Sequence, residues 1–268
     1  MSISKHTSKS NNISTISDSD SLEKIKGALQ QSELIVGFDF TQTNEQTGKI
    51  SFGGNNLHQI RDGIQNPYED VISVLGRGTK SPFDKDKPVF CFGFGDSKTR
   101  DVSVFSFNPG NKPCLGFDEA LSRYRQIVPD LLLAEHKTFA PIINMAIEIV
   151  NKNHGKQHVL VIISNGPAYR CKYTDHGQLS SYEKNTVEAI KNARKYPLSI
   201  IFIGVGDMSG DMMRFFENNI SRQDFEKIQI VNYNGIMSKD VPRSSKEMDF
   251  ILTAMKKLPF PVKVIGGK

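Results

Sequence analysis

The chain has 268 residues, of which 38% are hydrophobic and 24% charged, and its formal net charge at pH 7 is +5. That length suits one large domain with tails, and 17 Phe with many Ile, Val and Leu can fill a core although Trp is absent. The excess of Lys and Arg is spread along the chain, and the densest cluster is the short Lys256-Lys257 pair, which argues against a nucleic-acid partner.

Residues 1–20 are Ser, Thr, Asn, Lys and Asp with little apolar content, so a disordered polar tail is expected there, with residues 21–260 as the folded domain and 261–268 as a frayed end. No signal-peptide pattern precedes the first apolar run, and no apolar run approaches the roughly 18 residues of a membrane span. A helix capped by Asp20 or Ser21 is expected through Leu29. Leu34 to Phe40 reads as a buried strand. Asn66-Pro67 opens a helix to about Arg77, with Pro at the first helical position. Val89 to Phe94 is a second strand, and the alternation in Val102 to Phe107 predicts a half-buried edge strand.

Helices follow over Phe117 to Val128 and Pro141 to Asn151, then the apolar strand Val159 to Ile163. Ser180 and Glu183 form a capping box for a helix reaching Tyr196. A strand over Leu198 to Val205, a short helix over Asp211 to Asn218, a strand over Ile228 to Asn232 and a helix over Ser244 to Leu258 complete the pattern. Alternating apolar strands and helices predict a doubly wound α/β fold, a mostly parallel sheet covered on both faces. Ligands of such sheets bind beyond the carboxyl ends of the strands. Cys91, Cys114 and Cys171 form no paired spacing and predict neither a disulfide framework nor a structural zinc site. The compartment implied is the cytosol, with nuclear access open.

Asp39, Thr41 and Thr43 leave the end of the first strand at i, i+2 and i+4. Small oxygen ligands of this kind suit Mg²⁺ or Mn²⁺, and equally form a polar strand-to-loop junction. Gly204-Val205-Gly206-Asp207 lacks the register and the Lys-Ser/Thr of a phosphate loop. Asp39-Phe40-Thr41 lacks the second Asp of an aspartyl-phosphate site. His136 and His158 have no Ser or Cys partner at a recognisable spacing, and Asp96 and Asp207 read as caps of turns.

The segments Ile35 to Thr41, Asn66-Pro67-Tyr68, Gly93 to Asp96, Arg123-Tyr124, Phe139 to Ile143, Val161 to Ile163, Gly204 to Asp207 and Asp211 to Met213 stand in the order found in the copine-type von Willebrand factor A domain. The chain resembles that domain, as in copines and the copine-like plant RING-domain ubiquitin ligases. The resemblance implies a metal-ion-dependent adhesion site made of an Asp-x-Ser/Thr-x-Ser/Thr loop, a Thr on a second loop and an Asp on a third. Asp39, Thr41 and Thr43 match the first loop. Lys137 stands in the Thr place of the second, with Thr138 as the neighbouring hydroxyl that would substitute for it, and Asn165 replaces the Asp of the third. Both departures remove chemistry that favours a metal, so Mg²⁺ or Mn²⁺ binding is expected to be weak or lost, with the Lys137 ammonium bonded to Asp39 and Thr41 oxygens instead.

The function expected is a non-enzymatic protein-interaction module that meets a protein partner through loops carrying Asn44, Glu135, His136, Tyr169, Arg170 and Tyr173. Ubiquitin transfer by these relatives resides in a RING domain with eight Cys/His ligands, which three scattered Cys do not supply. A scaffold or substrate-recruiting part beside a ligase is the alternative. Copines dock on membranes through C2 domains ahead of the A domain. Only a polar tail precedes Leu34 here, so Ca²⁺-dependent membrane docking is not expected.

Overall fold

The structure is a computed structural model that describes residues 18–79 and 87–259. Most of the polar tail expected at the amino end and the short tail at the carboxyl end lie outside the described residues. The strands are β1 (Glu33–Asp39), β2 (Pro88–Phe94), β3 (Phe105–Ser106), β4 (Cys114–Leu115), β5 (His158–Ser164), β6 (Leu198–Gly204) and β7 (Ile228–Asn232). The helices are α1 (Asp18–Gln30), α2 (Pro67–Thr79), α3 (Gly116–Ile127), α4 (Ala140–Lys152), α5 (Ser181–Ala193), α6 (Ser209–Asn219), α7 (Arg222–Phe225), α8 (Tyr233–Met237) and α9 (Arg243–Ala254).

The sheet order is β3-β2-β1-β5-β6-β7, with β4 beside β2. β2, β1, β5, β6 and β7 are mutually parallel, while β3 and β4 run antiparallel to β2. The doubly wound arrangement expected from the alternation is therefore present. Side chains alternate across each strand. Leu34, Val36 and Phe38 of β1 join the core under α1, α2, α3, α8 and α9. Ile35 joins the core under α4, α5 and α6, with Leu160 and Ile162 of β5 and Phe202 of β6. Both layers are apolar, which is why the central strands read as continuous apolar runs. Gly37 lets α4 sit close on the sheet, since a Cβ there would lie 2.6 Å from Cγ1 of Ile142.

β1 is the topological switch point. The chain goes from β1 to β2 on one side and later returns to β5 on the other. The carboxyl ends of β1 and β5 diverge into separate loops there, which opens the place where such sheets hold ligands.

Three expectations are corrected. The edge strand predicted over Val102 to Phe107 shrinks to Phe105–Ser106. The Asp96 carboxylate accepts from Thr99 N at 3.0 Å, and the Thr99 carbonyl accepts from Val102 N and Ser103 N, so the chain there is coiled into a turn and Val102 is exposed. Helix α5 ends at Ala193 rather than Tyr196, because a tight turn and Pro197 follow before β6. The last helix likewise ends at Ala254, short of the predicted Leu258.

Candidate functional site

β1 carries Asp39 to the carboxyl end of the sheet, and β5 carries Ser164 and Asn165 beside it. A short 3-10 turn, Gln42–Glu45, follows β1 and folds Thr43 back toward them. The segment leading into α4 is fastened by β-type bridges of Ala134 to Thr41 and of Leu133 to Asp96. That fastening brings Lys137 over the end of β1.

Asp39 is fully buried and Lys137 is 3% exposed. Nζ of Lys137 lies 2.7 Å from Oδ2 of Asp39. The same ammonium donates to Oγ of Ser164 at 3.3 Å and to Oδ1 of Asn165, so its three N–H groups are all placed. Ser164 Oγ in turn donates to Oδ2 of Asp39 at 2.5 Å. Oδ1 of Asp39 accepts from Thr41 N at 2.9 Å and Thr41 Oγ1 at 2.6 Å. The roughly four acceptor directions of a carboxylate are thereby all in use. Nδ2 of Asn165 donates to the hydroxyls of Thr43 at 3.0 Å and Thr47 at 2.8 Å.

Burial by itself would raise the pKa of Asp39. The Lys137 charge, with hydrogen bonds from Lys137, Ser164 and Thr41, outweighs it and holds the carboxyl below its usual value. Burial pulls the Lys137 ammonium down from its usual value against the opposing field of Asp39. A buried charge pair is sustained only when its remaining donors and acceptors are satisfied, and here the surrounding hydroxyls and the Asn165 amide do that.

The main-chain carbonyl of Asp39 faces a second, uncharged cluster. It accepts from Nδ2 of Asn44 at 3.0 Å and from the Tyr68 hydroxyl at 3.2 Å, and lies 2.8 Å from Nε2 of His58. A carbonyl only accepts, so Nε2 carries the His58 proton and Nδ1 accepts from the Tyr124 hydroxyl at 2.7 Å. His58 stacks on Tyr68 with centroids 4.1 Å apart. Burial pushes the imidazole pKa down to about 4, against the smaller opposing effects of the Asp39 carbonyl and carboxylate. Burial also pushes the Tyr68 and Tyr124 hydroxyls up.

The structure brings together Asp39, Thr41, Thr43, Lys137 and Asn165 and sets two expected residues apart. Thr138 does not turn toward Asp39. Its hydroxyl donates to the Tyr182 carbonyl at 3.1 Å and lies 3.1 Å from the Thr186 hydroxyl of α5. Asn44, expected on a partner-binding loop, is fully buried and braces the turn after β1 through the Asp39 and Thr41 carbonyls. The ammonium's further partners are Ser164 and Asn165 rather than Thr41. His158 lies at the amino end of β5, away from the site, against Glu33 at 3.4 Å. Glu135, His136, Tyr169, Arg170 and Tyr173 do reach the surface around the site, Tyr173 at 80% exposure. Ser164 and His58 belong to the arrangement but carry no local sequence signal. A Ser ending an apolar strand and a His inside a long polar loop acquire their roles only through contacts made across the fold.

The sequence profile of the Copine family matches residues 56–266. The chain is 48% identical over 247 residues to E3 ubiquitin-protein ligase RGLG2 of Arabidopsis thaliana, covering 90% of this chain and 52% of that protein. It is 34% identical over 255 residues to Copine family protein 1 of Caenorhabditis elegans, covering 94% of this chain and 22% of that protein. Among solved structures it is similar to the manganese-loaded TRAP protein of Plasmodium vivax, at 10% identity and a TM-score of 0.48 over 84% of this chain and 74% of the other. The chain thus spans about half the length of RGLG2 and far less of the nematode copine. With the profile covering most of its length, the chain belongs to the copine family.

Proposed function

We propose that this chain is a non-enzymatic protein-interaction module that meets its partner with the loops at the carboxyl ends of the strands. The observation that carries this is where the exposed large apolar side chains lie. Six of the eight among the described residues, Ile50, Ile64, Val102, Leu132, Tyr173 and Met208, are on those loops. Apolar and aromatic side chains in a polar surround mark the faces that proteins use to bind one another. Next to them, Phe40, His58, Ile60, Val128 and the segment Leu131 to Leu133 line an open cleft of about 410 Å³.

In the same reading the adhesion site of A-type domains is degenerate. The family pattern pairs a divalent ion with two carboxylates. Here one ammonium faces one carboxylate, because Lys137 and Asn165 replace a ligand and a charge together. A divalent ion would meet an Asp39 whose acceptor directions are filled and an ammonium already at its side. Repulsion at such a distance outweighs what a single carboxylate offers. These residues do not fit Mg²⁺ or Mn²⁺.

RGLG2 is named as a ubiquitin ligase. The identity to it favours a second reading, a scaffold or substrate-recruiting part in ubiquitin ligation, at a cytoplasmic or nuclear location. Among the described residues no helix is long and apolar enough to cross a membrane.

The test uses the full chain as bait, with captured proteins identified and compared across variants. Ile50→Asp with Leu132→Asp is expected to abolish specific capture, while Leu115→Asp, at the opposite end of the sheet, is expected to retain it. The reverse pattern overturns the docking face. Calorimetry with Mg²⁺ and Mn²⁺ is expected to show no heat with the natural sequence, and micromolar binding overturns the degenerate site.

A further inference from the structure

Beside the buried ion pair, three aromatic rings come together at the surface. His136 stacks on Tyr182 with an interplanar angle of 6° and centroids 4.9 Å apart. Tyr169 stands edgewise to both, at 4.9 Å from His136 and 5.7 Å from Tyr182. The cluster is held from below. Tyr169 N donates to the Lys137 carbonyl at 2.8 Å, and the Tyr182 carbonyl accepts from the Thr138 hydroxyl. The rings themselves are half-exposed, His136 at 44% of its side chain. The buried core on this side of the sheet is built from other residues, Phe139, Ile142 and Val187 among them.

Two carboxylates act on the rings. Glu135 is 66% exposed, with Oε2 4.0 Å from Nε2 of His136. Asp101, on the loop after β2, is half-buried and acts on the Tyr182 hydroxyl, whose pKa is raised by burial first and by the Asp101 charge second. Among the described residues no Lys or Arg is within ion-pair distance of either acid. Arg170 donates to Glu183 at 3.2 Å and to the Asp175 carbonyl at 3.1 Å, Lys172 lies over the Tyr173 ring at 4.9 Å, and Arg100, next to Asp101, donates to the Ser97 carbonyl at 3.3 Å.

Aromatic faces attract cations, and carboxylates at their edge add a directed charge. A guanidinium matches both at once, because it is planar, stacks on a ring and forks to a carboxylate. An ammonium has only the point charge. We propose that His136, Tyr169 and Tyr182, bordered by Glu135, form a docking site for an arginine side chain in an extended segment of a protein partner. The site rests on the reading of the carboxyl-end loops as the docking face and names the chemistry that part of the face selects.

The test titrates the ¹⁵N-labelled full chain with capped Gly-Arg-Gly peptide and follows the amide spectrum, with citrulline, lysine and glutamate peptides as comparisons. Citrulline keeps the shape of arginine without its charge. Saturable shifts are expected at residues 135–137, 169–172 and 182, with citrulline weaker by about tenfold or more. Tyr182→Ala is expected to weaken the arginine peptide by about fivefold. Glu135→Gln, on a side chain too exposed to affect folding, should also weaken it. Equal binding of citrulline or glutamate peptide, or no shift with any of them, overturns the arginine site. Shifts confined to the loops around Ile50 and Leu132 overturn it while leaving the docking face standing. Shifts only at the amino end of the sheet overturn both.

Discussion

Asp39 sits between two buried polar clusters built on opposite principles. Its carboxylate faces Lys137, Ser164 and Thr41, with Asn165 on the far side of the ammonium, and one full positive charge meets one full negative charge there. Its carbonyl faces His58, Tyr68, Tyr124 and Asn44, where dipoles and a neutral imidazole satisfy one another without any net charge. The charged cluster is strong only while both partners are present, because a lone charge in that interior has no water to turn to. The neutral cluster loses one hydrogen bond at a time. The first therefore fails as a unit and the second by degrees.

The largest expected effect breaks the charged side. Lys137→Ala leaves Asp39 buried without its counter-charge and should cost about 3–5 kcal/mol of unfolding free energy. Lys137→Met combined with Asp39→Asn removes both charges and should cost no more than about 1 kcal/mol. Urea denaturation measures both, and equal losses in the two proteins would show that charge pairing is not what holds this side.

A titration separates the clusters next. The His58 pKa is lowered from 6.5 to about 4 on folding. Between those values the unfolded chain binds the proton and the folded chain does not, so stability is lost as pH falls through that window, by about 3 kcal/mol in all. Asp39 is likewise lowered, from 3.8, so its contribution is complete above that value and is lost only as pH falls further. The neutral side should therefore give way to acid before the charged one. In His58→Gln the fall in urea midpoint between pH 6.5 and pH 4 should flatten, and an unchanged slope would assign it to other groups.

Smallest is the removal of a single dipole. Tyr68→Phe forfeits the bonds to Oδ1 of Asn44 at 2.8 Å and to the Asp39 carbonyl, which is worth about 1–2 kcal/mol by thermal or urea unfolding. A loss as large as that of Lys137→Ala would erase the distinction between the two clusters.

The parts of this arrangement that the sequence announces are those set by local pattern. β1 and β5 are unbroken apolar runs, and Asp39 with its following hydroxyls marks where one of them meets water. The departures at Lys137 and Asn165 show against the loop pattern of A-type domains. What stays hidden is set by direction and by distance along the chain. Lys137 and Thr138 are neighbours whose side chains leave the backbone on different sides, and the entry into α4 decides that Lys137 faces Asp39 while Thr138 faces α5. His58 lies 19 residues from Asp39, inside a long loop whose path no periodicity describes. At Val102 the alternation was a true strand pattern that lost to the turn closed by Asp96 and Thr99.

The cation that meets Asp39 is fastened to the backbone at the tip of a flexible stem. An ion drawn from solution fills such a place according to its supply, and its occupancy rises and falls with concentration. A tethered ammonium is in place once the chain has folded, at the same occupancy whatever ions surround it. On the proposed reading this end of the sheet is no gauge of ionic conditions, its geometry is an inherited constant, and what varies there comes from the molecule that arrives.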